Sequence, residues 1–155
     1  PLTIVDDLKE MNFGDFDGVP FDEINQNCEQ DWKLLERFWK KPSEHTLPNG
    51  ESLAQFHRRV STAWLTLIEK KFSCQLGVDK PYKVLLISHG GVIRTILSHV
   101  LQLNWQNVAL QQHLNIDNAS CSHITVSWPF NDKNKTHSVI NSIGLPMLSI
   151  LLPST

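Results

Sequence analysis

The sequence has few cysteines, and none of them stands in a redox or metal-binding spacing. Cys28, Cys74 and Cys121 are far apart in the 155 residues, and no Cys-x-x-Cys occurs. This excludes a disulfide framework and a zinc knuckle, and it favours a reducing cytoplasm as the setting. Six of the seven histidines also lack the spacing of metal ligands, so we expect no metal and no other cofactor; they are His45, His57, His99, His113, His123 and His137.

Long apolar runs and an excess of positive charge are missing as well. The longest apolar stretches, Val84–Ile87 and Leu145–Leu152, are far shorter than the roughly 18–20 residues that a membrane span needs. The formal net charge is -2, whereas a dedicated nucleic-acid-binding protein carries a basic surface. We therefore expect neither a membrane nor a nucleic acid as a partner, and the sequence leaves the oligomeric state open.

What the sequence does have is the composition of one globular domain spanning 1–155. Apolar residues make up 41% of the chain, which is enough for one hydrophobic core. The first part, 1–24, is loop-rich and holds seven carboxylates against one lysine. The helical spacing of apolar side chains predicts a helix over 22–41, inside a lid or insertion at 22–48, and a longer helix over 52–71.

The second half of the chain alternates strand and helix patterns. Lys83–Ser88 is a continuous aliphatic run that predicts a strand buried on both faces, and a helix over Val92–Leu101 follows it. Two further strands are predicted over 120–128 and 137–143, joined by a polar turn at Asn131–Lys135. Strands interleaved with helices predict an α/β fold, a three-layer α/β/α sandwich with a mostly parallel sheet.

The most informative unit is the turn Ser88-His89-Gly90-Gly91 between the predicted buried strand and the next helix. Free backbone N–H groups and the positive end of the helix dipole converge on such a turn, which makes it a general anion site. Its glycines allow a substrate or another backbone to approach closely. From the residues alone, His89 is either a contact for a phosphate or carboxylate, or a capping or core histidine.

Two upstream segments decide between these interpretations. The segments LKEMNFGDFDG (8–18), PNGES (48–52) and VLLISHGGVIR (84–94) occur in that order. Together they resemble the histidine phosphatase superfamily, also called phosphoglycerate-mutase-like, over nearly the whole chain. The resemblance implies a phosphomonoesterase without a metal, acting on a small phosphorylated substrate.

The resemblance also implies a mechanism with named residues. In this family a histidine of an Arg-His-Gly motif takes the phosphoryl group, and a second histidine, here His89, stabilises the charge of the transition state. A carboxylic acid, here Glu10, protonates the leaving oxygen, which is worth about 10²–10⁴-fold. Gly90, Glu51 and Ser52 are the expected substrate-binding residues.

Several of these assignments have alternatives. Composition alone would make Glu10 part of a solvated acidic face together with Asp6, Asp7 and Asp15. Glu51 is a second candidate acid or a charge that stabilises the N-terminus of the following helix. Ser52 contacts substrate or caps that helix. Arg94 contacts phosphate or forms a structural salt bridge, and Arg58 and Arg59 are expected to be surface or helix-pairing charges.

The sequence departs from the family pattern in one important respect. No Arg-His-Gly triplet occurs in the 155 residues, and the family's Ser-x-Leu-x-Arg-Ala stretch is absent too. We therefore expect that roughly the first third of the domain precedes Pro1, and that the isolated chain is inactive and poorly soluble. Within the family, the short acidic segment and compact lid resemble the alpha-ribazole phosphatase branch of cobalamin synthesis. A broad-specificity phosphatase, a phosphoglycerate mutase and a non-catalytic module that binds a phosphorylated ligand are the alternatives.

Overall fold

The computed structural model describes residues 2–72, 83–107, 109–128 and 136–146. The predicted turn at Asn131–Lys135 lies outside these residues, as do Cys74 and the apolar tail beyond Pro146. The described elements are five α-helices and two strands: α1 (Phe21–Asn27), α2 (Glu29–Lys40), α3 (Leu53–Phe72), α4 (Gly90–Val100), α5 (Ala109–His113), β1 (Ser120–Ser127) and β2 (His137–Pro146). No described helix is both long and apolar enough to cross a membrane.

The single helix that the sequence predicts over 22–41 is in fact two helices. Cys28 stands between α1 and α2 in an extended conformation, with φ -147° and ψ 98°, so the helical hydrogen-bond ladder is interrupted there. The two helices meet through an aromatic contact, since the Phe21 ring of α1 and the Trp39 ring of α2 lie edge to face with their centroids 5.0 Å apart. Leu35 and Phe38 turn inward and are buried.

The long helix α3 confirms the prediction for 52–71 and supplies much of the core. Its apolar stripe is buried because the side chains recur at helical spacing on one face, which contacts α4 and the short 3₁₀ turn Asp6–Leu8. The resulting core contains side chains from the N-terminal segment, α3 and α4. Its buried members from these three elements are Leu8, Met11, Phe16, Leu53, Phe56, Val60, Ala63, Trp64, Ile68, Val92 and Ile96.

The prediction of a buried strand over Lys83–Ser88 is wrong for the described structure. These residues carry no regular secondary structure, and no described strand pairs with them. A strand buried on both faces needs hydrogen-bonded neighbours and covering layers, and here Leu85 and Ile87 are instead 66% and 84% exposed. Only Leu86 packs partly against the core.

The two C-terminal strands are present as predicted, and they form an antiparallel pair. β1 pairs with β2 from Ser120 opposite Pro146 to Ser127 opposite His137, with an irregular register around His123. β2 and α5 both contact α4, so they lie beside the helix that follows the Ser88–Gly91 turn. The helix α4 begins at Gly90, two residues earlier than the sequence predicts, and His89 is its N-cap residue.

Candidate active site

The acidic segment near the N-terminus and the PNGES turn form one structural unit. The Asp15 backbone N–H donates to the Pro48 carbonyl at 3.1 Å, and the Asn49 amide donates to both Asp15 carboxylate oxygens at 2.9 and 3.1 Å. Gly14 has φ +63°, and a Cβ there would collide with the backbone of residues 48–50. Glycine is therefore required at this position for both conformation and space.

The Arg59 side chain fixes the backbone that leads to Glu10. Its guanidinium binds the Glu51 carboxylate with two hydrogen bonds, Nε to Oε1 at 2.9 Å and Nη2 to Oε2 at 2.7 Å. The remaining N–H groups donate to backbone carbonyls, at 2.9 Å to Asp7, 3.1 Å to Lys9 and 3.4 Å to Glu10. The hydrogen bond to Glu51 raises the pKa of Arg59 above its usual value, so this group stays charged.

Glu10 and His89 line the same pocket, which has a volume of about 250 Å³. The Glu10 carboxylate accepts hydrogen bonds from the backbone N–H groups of Met11 and Gly91, each at 3.0 Å. The second of these donors belongs to the first turn of α4, where the helix dipole favours a negative charge. One N–H of the predicted anion site is thus already occupied by Glu10.

Gly91 allows this contact because it has no side chain. A Cβ at Gly91 would overlap the Glu10 carboxylate, with the carboxyl carbon only 3.0 Å away. A second hydrogen bond joins the same two segments, since the Ser88 hydroxyl donates to the Leu8 carbonyl at 3.0 Å. The residues before and after His89 in the Ser88–Gly91 turn are therefore both hydrogen-bonded to the segment that carries Glu10.

A second wall of the pocket is the segment 116–120, which leads into β1. Ala119 adopts a left-handed conformation with φ +56°, and the Ser120 hydroxyl is buried without a hydrogen-bond partner among the described residues. Asp117 is the one carboxylate of this wall, and the lining contains no Lys or Arg among the residues that the structure describes. The wall is therefore polar, with a negative charge.

The structure separates the predicted substrate-binding residues into two groups. Gly90 lines the pocket with His89, whereas Glu51 and Ser52 do not. Ser52 caps α3 in a reciprocal arrangement with Gln55: its hydroxyl accepts from the Gln55 N–H at 3.3 Å, and its own N–H donates to the Gln55 side chain at 2.9 Å. Glu51 is paired with Arg59 instead.

Two residues matter to this site although the sequence analysis missed their role. Arg59 was expected to be a surface or helix-pairing charge, yet its side chain is only 16% exposed and binds the Glu10 segment. For Gly91 the sequence suggested only the close approach that a glycine pair allows, and Gly90 was the glycine expected to bind substrate. Arg94, expected to contact phosphate or an acidic group, donates through Nε to the Leu114 carbonyl at 2.7 Å.

No group of three or more possible ligands that could hold a metal ion occurs within the described part of the chain. Cys28 and Cys121 are both free and partly buried. The ionisable side chains that line the described pocket are the Glu10 and Asp117 carboxylates and the His89 imidazole.

Solved structures with the same fold are found among phosphatases. An alpha-ribazole phosphatase from Shigella flexneri is 21% identical and matches with a TM-score of 0.67 over 93% of this chain and 61% of that chain. This likeness shows that the chain has the predicted α/β, phosphoglycerate-mutase-like fold. Within the described residues, however, the sheet is a two-stranded antiparallel pair and not the mostly parallel sheet of a three-layer sandwich that the sequence predicts.

The sequence model of the histidine phosphatase superfamily (branch 1) matches residues 1–133, and the chain belongs to this superfamily. The adenosylcobalamin/alpha-ribazole phosphatase of Escherichia coli K12 is 25% identical over 92% of this chain and 61% of its own length. A 2,3-bisphosphoglycerate-dependent phosphoglycerate mutase of Bartonella tribocorum is 26% identical over 68% of this chain and 47% of its own length. The chain thus spans about half to three-fifths of the length of these curated relatives.

Proposed function

We propose that the protein hydrolyses phosphomonoesters in the cytoplasm through a phosphohistidine intermediate. The observation that carries the proposal is the placement of Glu10 and His89 on one pocket, next to the first turn of α4. The two side chains come from segments that are far apart in the sequence, and in this proposal Glu10 is the acid and His89 the imidazole that contacts the bound phosphate. Membership of the superfamily supports the same reaction class.

Each of the two residues has a distinct chemical role in this proposal. His89 donates a hydrogen bond to a phosphoryl oxygen and stabilises the charge that spreads over those oxygens in the transition state. Glu10, in its protonated form, gives its proton to the leaving alkoxide, because an alkoxide is a poor leaving group without one. A bound phosphate dianion favours the protonated form of a carboxyl group beside it.

We propose that the phosphohistidine forms on a residue outside these 155 positions. No Arg-His-Gly triplet occurs in them, and the chain spans about three-fifths of the alpha-ribazole phosphatases it resembles. We propose that the protein carries this triplet on additional sequence, which supplies the nucleophile beside His89. Reading the coding frame upstream of Pro1 tests this directly, and a native start at that point would contradict it.

For the substrate we propose alpha-ribazole 5'-phosphate. Two observations favour it over phosphoglycerate, the substrate class named for the mutase relatives. The relatives that match more than nine-tenths of this chain include alpha-ribazole phosphatases, and the pocket lining carries Asp117 without a lysine or arginine among its described residues. A carboxylate on the leaving group would be repelled by Asp117, whereas a ribose hydroxyl group could donate a hydrogen bond to it.

The experiment is a hydrolysis assay of the full-length protein on alpha-ribazole 5'-phosphate, with phosphate release as the readout. We expect activity that persists in EDTA, and a decrease of about 10²–10⁴-fold in kcat for Glu10→Gln. His89→Ala should lower kcat by a similar factor. Activity that disappears with the chelator and returns with a divalent ion would exclude the metal-independent mechanism. Full activity of Glu10→Gln would exclude the acid assignment.

A non-catalytic module that binds a phosphorylated ligand is the second candidate function. One observation favours it, namely the absence of the Arg-His-Gly nucleophile from the 155 residues. The two candidates differ in a single-turnover experiment with radiolabelled substrate. The hydrolase forms an acid-labile phosphoenzyme, as phosphohistidine does, whereas the binding module retains the intact ester.

A further inference from the structure

We propose that Arg59 is the positioning residue for the general acid, holding the backbone of residues 7–10 so that the Glu10 carboxyl points at the bound ester. This inference rests on the proposed function, in which Glu10 donates the proton to the leaving oxygen. Arg59 itself does not line the pocket that contains Glu10 and His89. It acts on the reaction through the backbone of Glu10.

The hydrogen bonds of Arg59 use all five of its N–H groups. Nε and one Nη2 hydrogen hold the Glu51 carboxylate, and both Nη1 hydrogens hold the carbonyls of Asp7 and Lys9. The last Nη2 hydrogen points to the Glu10 carbonyl at 3.4 Å. A guanidinium presents its donors in a rigid planar fork, so one side chain fixes three backbone carbonyls of the short segment 7–10.

Glu51 keeps the guanidinium in this orientation. The ion pair is bidentate and both side chains are largely buried, with 16% of Arg59 and 15% of Glu51 exposed. The Glu51 backbone N–H also donates to the Asn12 carbonyl at 2.8 Å, just beyond Glu10. The segment 7–12 is therefore held at both ends by the pair formed by Glu51 and Arg59. This is a different role for Glu51 from the substrate contact that the sequence suggests.

The position of Glu10 is sensitive to this support. Its carboxylate accepts from the Gly91 N–H, and Glu10 itself belongs to no helix or strand that would hold it. A misplacement of about 1 Å of a catalytic group can lower a rate by about 100-fold. A change at Arg59 should therefore affect the proton-transfer step without removing the acid.

The test compares two substrates of the full-length protein that differ in their need for a general acid. p-Nitrophenolate is a good leaving group and needs little protonation, whereas the alkoxide of an alkyl phosphate such as glycerol 2-phosphate needs it strongly. The variants are Arg59→Lys, Arg59→Gln, Glu51→Gln and Glu10→Gln. The matched control is Arg58→Gln, which changes an exposed arginine at the neighbouring position. Thermal unfolding is recorded for each variant.

We expect the Arg59 and Glu51 variants to lower kcat on the alkyl phosphate by about 10- to 100-fold and on p-nitrophenyl phosphate by much less. Glu10→Gln is expected to show the same selectivity. Arg58→Gln should change neither. If Arg59→Gln unfolds, Arg59→Lys and Glu51→Gln decide the question. Equal losses on both substrates in these variants, or no loss, would overturn the positioning role.

The same data separate this inference from the proposed function. If Glu10→Gln loses alkyl phosphate turnover selectively but the Arg59 and Glu51 variants do not, the acid assignment stands and the positioning role is wrong. If Glu10→Gln shows no selective loss, or the wild-type protein hydrolyses neither substrate, the acid assignment fails and the positioning role fails with it.

Discussion

The Gly91 backbone N–H donates to the Glu10 carboxylate at 3.0 Å and thereby joins two segments that are 81 positions apart in the sequence. The contact places a candidate acid on the first turn of α4, next to the candidate phosphate-binding His89. It also explains the second glycine of the Ser88–Gly91 turn, because any side chain there would occupy the space of the carboxylate.

Replacement of Gly91 by alanine should displace the Glu10 carboxylate. The added Cβ would overlap it, and we expect kcat of the full-length protein on an alkyl phosphate to fall by about 10- to 100-fold. Gly90→Ala provides the comparison, since a Cβ at Gly90 meets only the flexible tip of Arg94 at 3.3 Å. Steady-state kinetics on both variants measure the difference. An unchanged kcat in Gly91→Ala would exclude this role of Gly91.

Gly14→Ala should destabilise the fold through its contact with the PNGES turn. The residue has φ +63° and no space for a Cβ against residues 48–50, so we expect a loss of about 3 kcal/mol or more in the free energy of unfolding. Gly18→Ala is the matched control, because Gly18 also has positive φ but faces open space, and only about 1–2 kcal/mol of backbone strain is expected. Urea denaturation of both variants tests the ranking, and equal losses would exclude the steric explanation.

The stability of the protein should decrease in mild acid because of His57. Its Nε2 is buried without a hydrogen-bond partner, and burial followed by repulsion from His99 lowers the pKa of His57 below 6.5. As the pH falls, the unfolded chain therefore binds a proton at His57 before the folded chain does. The contribution of neutral His57 to the free energy of unfolding is fully present above about pH 6.5 and is lost as the pH falls through the folded pKa. Tm measured from pH 7.5 to 5.0 should fall less steeply in His57→Gln than in the wild type. The control His45→Gln changes an exposed histidine and should leave the slope unchanged.

The exposed aliphatic side chains before the Ser88–Gly91 turn should promote self-association of residues 1–155 expressed alone. Leu85 and Ile87 are 66% and 84% exposed, and Leu2 and Ile4 are two further exposed aliphatic side chains. We expect the double variant Leu85→Lys and Ile87→Lys to increase the monomeric fraction in size-exclusion chromatography with little change in Tm. Leu86→Lys should instead lower Tm, since Leu86 packs partly against the core. A wild-type chain that is monomeric at high concentration would be incompatible with this prediction.

Asp117 should influence which phosphoesters the full-length protein prefers. Replacing this carboxylate by asparagine removes a repulsion of about 1 kcal/mol on a negatively charged leaving group, which corresponds to roughly fivefold in kcat/KM. Asp117→Asn should therefore raise kcat/KM for phosphoglycerate relative to alpha-ribazole 5'-phosphate. Asp15→Asn, a change at a carboxylate that the structure places outside the pocket lining, is the control and should leave this ratio unchanged. An unchanged ratio for Asp117→Asn would mean that segment 116–120 does not select the leaving group.

The sequence predicted the parts of the fold that depend on local patterns. α3 and the strands β1 and β2 follow from apolar periodicity, which each segment carries by itself. The break at Cys28 was not predicted, because apolar side chains recur at helical spacing on both sides of it and nothing local marks the extended residue between them. The strand predicted over Lys83–Ser88 was wrong, because an aliphatic run becomes a strand only beside hydrogen-bonded neighbours, and none is present among the described residues.

The residues of the candidate site also fall into those that local motifs predict and those that only long-range contacts reveal. The sequence alone determined the superfamily, and with it Glu10 and His89 as candidate residues, because their motifs are local and ordered along the chain. Only the tertiary structure decided that Arg59 supports Glu10 and that Gly91 must lack a side chain. The physical reason is that these contacts join groups 49 and 81 positions apart. Hydrogen bonds and close approaches over such separations exist only once the helices have packed.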